Sequence, residues 1–325
     1  MTEAPNPREL VLDILLETEK EENLSHLVIR QMLQKYQYMT KQDRAFITRL
    51  AEGTLENRLY IDTIISEYSK TPLHKLKPLI RNLLRMGIYQ ILWMDRVPDS
   101  AACNEAVKLA SKRGFYQLKG YVNGVLRHIV RDKEQLLPEQ LREKYADDPD
   151  KYLSLRYSIP QWTIKDWQKV YSYDIIEKIA QAMLETDATA VRFQTDKVSK
   201  DTIIHSLQSE GCQVMPCDAA EELFYIKGYD YLDGLYAFSQ GWIIVQDLSS
   251  VLAGLTAAPQ RENFVLDVCA APGGKSIHMA YLMQNSGMVE ARDISESKVA
   301  YIEENIQRMH MENIRTRVWD ATVTD

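Results

Sequence analysis

The chain has 325 residues, 45% of them hydrophobic and 26% charged, with a formal net charge of −7. That length implies about two or three domains, and no apolar run approaches the roughly 18 residues of a membrane span. Cys103, Cys212, Cys217 and Cys269 form no Cys-x-x-Cys pair and have no histidine at ligand spacing, which argues against zinc and against a disulfide framework. "MTEAPNPREL" has neither the basic start nor the apolar core of a secretion signal, so a cytoplasmic protein without membrane or metal is expected. The acidic average hides a split: up to Leu137 there are 21 Lys and Arg against 17 Asp and Glu, and beyond it 18 against 29. The first part is suited to a polyanion, and the second to something else.

From Pro7 to about Arg131 apolar residues recur at spacings of three and four, as in Leu79, Leu83, Met86 and then Ile88, Ile91, Leu92. Pro72, Pro78 and Pro98 each stand where a new helix can open, so this part reads as an all-α bundle. Within it Lys108, Lys112, Arg113, Lys119, Arg127, Arg131 and Lys133 are interleaved with Phe115, Tyr116 and Tyr121. Basic charge mixed with stacking rings is the composition of an RNA-contacting surface. The competing reading is a solvated helix face with its rings turned to the core.

"LLPEQLREKYADDPD" is acidic and proline-bounded and marks a linker, followed by the helices "PQWTIKDWQKVY" and "DIIEKIAQAMLE" with Trp162 and Trp167 as core or interface anchors. After Thr186 short β-branched or aromatic runs appear: "AVRFQT", "CQVMPC", "LFYIKG" and "WIIVQDLS". "SKDTIIHSLQSEG" lies among them as a helix ending at Gly211. In the last section "NFVLDVC", "GMVEARD" and "TRVW" read as strands alternating with helices near Ile277–Gln284 and Glu296–Met311. That order implies a parallel, Rossmann-like sheet. The expected domains are 1–137, 138–185, 186–246 and 247–325.

"DVCAAPGGKS" follows the first of those strands and ends like a phosphate loop, but the glycine that must stand five residues before Gly274-Lys275-Ser276 is Cys269. The triphosphate reading fails on spacing. A dinucleotide site needs Gly-x-Gly-x-x-Gly, which is also absent. What remains is a strand ending in Asp267, a Gly273-Gly274 turn that lets backbone approach a ligand, and a helix start, an arrangement that suits S-adenosylmethionine. Asp293, about 20 residues on and at the end of the next strand, is placed to accept both ribose hydroxyls. Ser295 is available to cap the following helix in its stead. Asp320, ending the third strand, is placed to reach the adenine amino group.

"DVCAAPGGKS", "EARDISESKV" with "ENIQRM", and "WDAT" resemble the first three cofactor motifs of the RNA cytosine-C5 methyltransferases, and "VQDLSS" resembles the segment before them. "CNEAVKLASKRGFYQLKGYVNGVLRHIVR", "RMGIYQILWMDRVPDSA" and "LRYSIPQWTIKDW" resemble the NusB-like domain and linker found in bacterial members of that family. The likeness covers essentially the whole chain. It implies an all-α NusB-like bundle, a small α+β subdomain and an incomplete α/β Rossmann-like methyltransferase domain. It further implies an S-adenosylmethionine site built by Cys269, Ala270, Ala271, Pro272, Gly273, Gly274 and Lys275 with Asp293 and Asp320, Lys275 also lying near the target base. The implied substrate is 16S ribosomal RNA at cytosine 967, and the implied state a monomer. Arg292 stands where the family more usually has an apolar residue.

Cytosine C5 becomes nucleophilic only after a thiolate adds to C6. In the family the nucleophile and a second cysteine, in Asp-x-Pro-Cys, follow the third motif, so they are expected beyond Asp325 and the 325-residue chain itself is expected to be inactive. Cys217 of "MPCD" lies far upstream, Cys269 reads as a wall of the cofactor loop, and Cys103 and Cys212 as helix and strand core positions. A sheet of three strands would leave an unpaired edge and an uncovered face. The six histidines show no pairing that assigns them a role. The alternative to an enzyme is a non-catalytic RNA-binding assembly factor whose Rossmann part senses the cofactor.

Overall fold

The computed structural model describes residues 5–20, 25–184 and 188–324. Its contacts divide it into two compact units, Met1–Glu185 and Thr186–Asp325. The expected boundary at 185–186 lies outside the described residues.

The first unit is helical: α1 (Pro7–Glu17), α2 (Ser25–Lys35), α3 (Lys41–Glu56), α4 (Arg58–Tyr68), α5 (Pro78–Trp93), α6 (Asp99–Lys112) and α7 (Lys119–Arg131) form the bundle. Shorter helices follow, α8 (Leu141–Lys144), α9 (Pro149–Tyr157), α10 (Gln161–Trp167) and α11 (Tyr173–Leu184). Starts are set locally. Asn6 accepts the N–H of Arg8, Thr40 that of Asp43 and Asp148 that of Lys151, satisfying donors a helix leaves open, and Pro78 occupies a first-turn position where no N–H is needed. Helix α5 is buried from Leu79 to Leu92 except at Arg81, which makes it the central rod of the bundle. Arg85, inside that rod, is tolerated because Asp62 holds it at 2.7 and 2.8 Å and Glu19 at 2.6 Å. Trp162 is 72% exposed, so it is no core anchor, whereas Trp167 packs on the core. The reason is position: Trp162 falls in the first turn of α10, whose buried residue is Ile164.

The second unit opens with β1 (Thr189–Phe193), α12 (Lys200–Ser209), β2 (Gln213–Pro216), β3 (Leu223–Lys227), α13 (Tyr236–Ser239) and β4 (Ile243–Val245). The strands form one antiparallel sheet in the order β2-β3-β1-β4, with Phe193 stacked on Phe224 at 4.0 Å in its core. Cys212 is buried but stands one residue before β2. The apolar run "WIIVQDLS" is only half a strand: the chain turns at Gln246-Asp247 into α14 (Leu248–Ala257), a helix that the β-branched residues before it concealed.

Next come β5 (Phe264–Asp267), α15 (Gly274–Leu282), β6 (Met288–Asp293), α16 (Glu296–Arg308) and β7 (Ile314–Val318). The three strands pair in parallel in chain order, with Asp267 level with Ala291 and Asp293 level with Val318. Val289 and Ala291 turn one face of β6 into the apolar clusters made with Ile277, Met309 and Ile302. The opposite face carries Glu290 and Arg292. Buried Glu290 accepts Arg292 Nε at 2.5 Å and Arg315 Nε at 2.6 Å, which is how a charged residue fits where an apolar one is usual. Arg292 chiefly, and then Arg315, hold the Glu290 carboxyl below its ordinary range. On the same sheet, Phe264 and Leu266 of edge strand β5 are exposed.

Candidate functional site

Three carboxylates mark the carboxyl ends of the parallel strands: Asp267 ends β5, Asp293 ends β6, and Asp320 follows β7 by two residues rather than ending it. Between the first two runs Cys269 to Lys275. Asp267 shapes the loop from inside, taking Ser276 Oγ at 2.7 Å and the Cys269 N–H at 3.3 Å. The Ala270 N–H donates to Arg292 O at 2.8 Å, and Asn305 Nδ2 to Pro272 O at 2.9 Å, so β6 and α16 both hold the turn. Gly273 has φ +100°, and a Cβ there would lie 3.2 Å from Ile302, which explains why glycine is needed. It also stands at the N-cap of α15 with no side-chain hydrogen bond closing that end. The first-turn N–H groups of such a nine-residue helix have no intrahelical acceptor and favour a carboxylate or other anion.

Asp293 is 7% exposed. Its Oδ2 accepts the Ala271 N–H at 3.0 Å and its Oδ1 the Ile294 N–H at 2.8 Å, while Lys298 Nζ lies 3.5 Å away. Burial opposes ionisation, but those two N–H groups and the ammonium outweigh it and hold the carboxyl below its ordinary range. Oδ2 keeps a lone pair for a further donor, while the second donor near Oδ1 is the Lys298 ammonium. Ser295 caps α16 through the Lys298 N–H, so Asp293 is not spent on that task. Asp320 is held by Thr322 Oγ1 at 2.7 Å and the Thr322 N–H at 2.9 Å, contacts that lower its pKa. Cys269, Pro272 and Lys275 are exposed around the loop, and Ala270 is buried behind it. The residues fit a nucleoside with a charged tail: a ribose acceptor, a backbone cradle and a helix N-terminus along one edge.

Asp267 and Asn305 were not among the expected site residues, although the Asp267–Ser276 spacing of nine across a strand-turn-helix was a usable signal. His278 was assigned nothing, and is buried with Nε2 2.6 Å from Glu222 Oε1.

The basic residues of the bundle separate into two groups. On α6, Lys108 pairs with Glu105 at 2.7 Å, Lys112 with Glu9 at 2.6 Å, and Arg113 with Asp13 at 2.6 Å. On α7, Lys119 lies over the exposed Tyr116 ring at 3.7 Å, Arg127 Nε donates to the neutral Asn123 Oδ1 at 3.1 Å, and Arg131 is exposed. Phe115 and Tyr121 turn to the core, Tyr121 bonding Ser69, which leaves Tyr116 as the ring of the three open for stacking.

The model of the NusB family matches residues 5–131, that of a ferredoxin-like domain of RsmF/B-like methyltransferases residues 159–229, and that of the 16S rRNA methyltransferase RsmB/F residues 254–325. The "Probable ribosomal RNA small subunit methyltransferase B" of Bacillus subtilis (strain 168) is 32% identical over 315 residues, covering 97% of this chain and 68% of its own length. The chain belongs to the ribosomal RNA small subunit methyltransferase B family. Another member, from Escherichia coli (strain K12), is 30% identical over 275 residues, covering 85% of this chain and 61% of its own. The crystal structure of PH0851 matches with a TM-score of 0.80 at 24% identity, over 98% of this chain and 70% of that one, and shows the shared fold. The methyltransferase B family thus accounts for the helical NusB-like part, the ferredoxin-like part and the parallel sheet as one combination. Among the described residues no helix is long and apolar enough to cross a membrane, and no cluster of side chains could hold a metal.

Proposed function

We propose that this chain binds S-adenosylmethionine at the ends of β5, β6 and β7 and serves the methylation of cytosine C5 in 16S ribosomal RNA, at cytosine 967. The observation that carries the reading is Asp293: a buried, ionised carboxylate with each oxygen held by one backbone N–H, Oδ2 able to accept a ribose hydroxyl and Oδ1 able to accept the other if the Lys298 ammonium at 3.5 Å yields its place. The Gly273-Gly274 turn and the first turn of α15 would take the methionine portion, with Asp320 toward the adenine. S-adenosylmethionine supplies a methyl group on a sulfonium, which needs a carbon nucleophile. For cytosine C5 that means a thiolate added at C6, and a base that later removes the C5 proton so that the C6–S bond breaks and the thiolate leaves. Cys103 and Cys212 are buried, Cys217 lies in the antiparallel sheet region, and the exposed Cys269 belongs to the loop read as the cofactor's wall, so the thiolate is proposed to come from the part of the family's length that this chain does not span. Lys275, exposed beside the loop, would face the target base.

The test is calorimetric titration of S-adenosylmethionine into the wild-type chain, Asp293→Ala and the surface control Glu312→Ala. Losing a carboxylate–hydroxyl contact costs about 1.5–3 kcal/mol, roughly tenfold or more in Kd. Equal affinities for Asp293→Ala and Glu312→Ala would end the ribose assignment.

A further inference from the structure

Gly274, His278 and Tyr281 stand at i, i+4 and i+7 on α15 and therefore share one stripe of that helix. Each is met by a polar side chain from or beside the antiparallel sheet. Gln246 Cγ lies 3.9 Å from where a Cβ on Gly274 would sit. Glu222 Oε1 lies 2.6 Å from His278 Nε2. The Arg192 guanidinium lies 5.1 Å from the centre of the Tyr281 ring, whose hydroxyl also meets Thr195 Oγ1 at 3.0 Å. Within the seam Arg192 Nε donates to Gln246 Oε1 at 2.9 Å and Nη1 to Gln194 Oε1 at 3.2 Å, while Arg192 Nη2 and Gln246 Nε2 are buried with no hydrogen-bond partner among the described residues. On its far side the His278 ring abuts α14, where a Cβ on Gly254 would come within 2.4 Å of Nδ1.

We infer that Arg192, Glu222 and His278 are positioning residues that fix the rotation of α15 and with it the cofactor loop at its N-terminus. The inference rests on the cofactor reading above. Arg192 and His278 are fully buried and Gln246 is nearly so. An apolar seam would hold two elements together as well or better, since burying charges is costly. What bonds of this kind add is direction, and α15 needs it. Its first turn carries Ser276, which must reach Asp267 at 2.7 Å, while the front of the loop is held separately by Asp293 and Asn305. The charges balance with one cation, one carboxylate and a neutral imidazole. Burial and then Arg192 hold the His278 pKa down against the pull of Glu222, and burial pushes Arg192 down to about 10. Among the described residues Glu222 and Arg192 are the ionisable groups that face the imidazole. Protonation therefore places a second cation beside Arg192.

The experiment compares S-adenosylmethionine affinity of the wild-type chain, Arg192→Met, Arg192→Lys, His278→Gln and Asp293→Ala by calorimetry at 15 °C, with folding of each checked by thermal melting. Expected is a Kd about tenfold weaker for Arg192→Met although the protein is folded, with partial recovery in Arg192→Lys. The wild-type Kd should also weaken as pH falls through the lowered His278 pKa, which lies below the ordinary histidine value of about 6.5, with a flatter profile in His278→Gln. If Arg192→Met does not fold, the pH profiles of wild type and His278→Gln decide. Folded seam variants that bind as wild type does, or parallel pH profiles, overturn the inference while Asp293→Ala still reports the site. A wild-type chain that binds no cofactor overturns the cofactor reading instead, and the inference with it.

Discussion

Asp293 Oδ2 accepts the N–H of Ala271 at 3.0 Å, so the carboxylate at the end of β6 fastens the loop that follows β5. One side chain thus holds the loop, and in the proposed function it also accepts from the cofactor. One substitution tests both. Asp293→Asn keeps the shape but turns an N–H₂ toward one of the two backbone donors, so it should lose cofactor affinity and also loosen the loop, seen as faster amide exchange at Ala271.

The same carboxylate links stability to pH. Its folded pKa lies below the unfolded value, so its contribution is fully present above about 3.9 and is lost as pH falls through the lower folded value. Urea midpoints measured from pH 5 down to pH 3 should fall less steeply in Asp293→Asn than in wild type. Parallel curves would mean that the carboxylate is not preferentially ionised in the fold.

RNA binding should depend on α7 more than on α6. Lys108, Lys112 and Arg113 already face carboxylates, whereas among the described residues Lys119, Arg127 and Arg131 have no carboxylate partner. Replacing the three α7 cations by Ala should reduce the slope of log K against log salt by about two to three, at roughly 0.7–0.9 per phosphate contact. The matching α6 triple should change it by less than one contact's worth. A larger effect from α6 would show that its ion pairs open on binding.

Gly53 of α3 faces the Tyr89 ring so closely that a Cβ would come within 2.0 Å of it, and that buried ring is stacked on Trp93 at 5.4 Å. Gly53→Ala gains up to about 1 kcal/mol of helix propensity, but overpacking costs about 1–3 kcal/mol. The bundle should be destabilised on balance, with a lower urea midpoint at unchanged slope. A stabilised variant would mean that Tyr89 can swing aside.

Glu290 joins Arg292 and Arg315 across neighbouring strands. Glu290→Gln should lower the melting temperature more than Glu312→Gln, and Glu290→Gln with Arg292→Leu should recover part of the loss, because the double change also removes the buried cation. No recovery would place the cost in Arg315 alone.

Much of this was legible in the chain itself. The helical bundle, the strand-helix alternation and the loop between Asp267 and Ser276 rest on periodicity, turn residues and spacing, which are local properties. Ser295 as the cap of α16 was readable for the same reason. What stayed hidden was every feature that needs two distant segments in contact. "WIIVQDLS" reads as one strand because its residues favour extension, yet the turn at Gln246 into α14 is made by packing against α15. The cations of α6 look like a binding surface until α1, a hundred residues earlier, brings up Glu9 and Asp13. His278 carries no signal as a lone histidine in an apolar run; only the fold sets Glu222 against one edge of its ring and Gly254 against the other. Spacing along the chain determined which groups could meet the cofactor. Burial, which is a property of the whole fold, decided which charges are already paired and which remain for a partner.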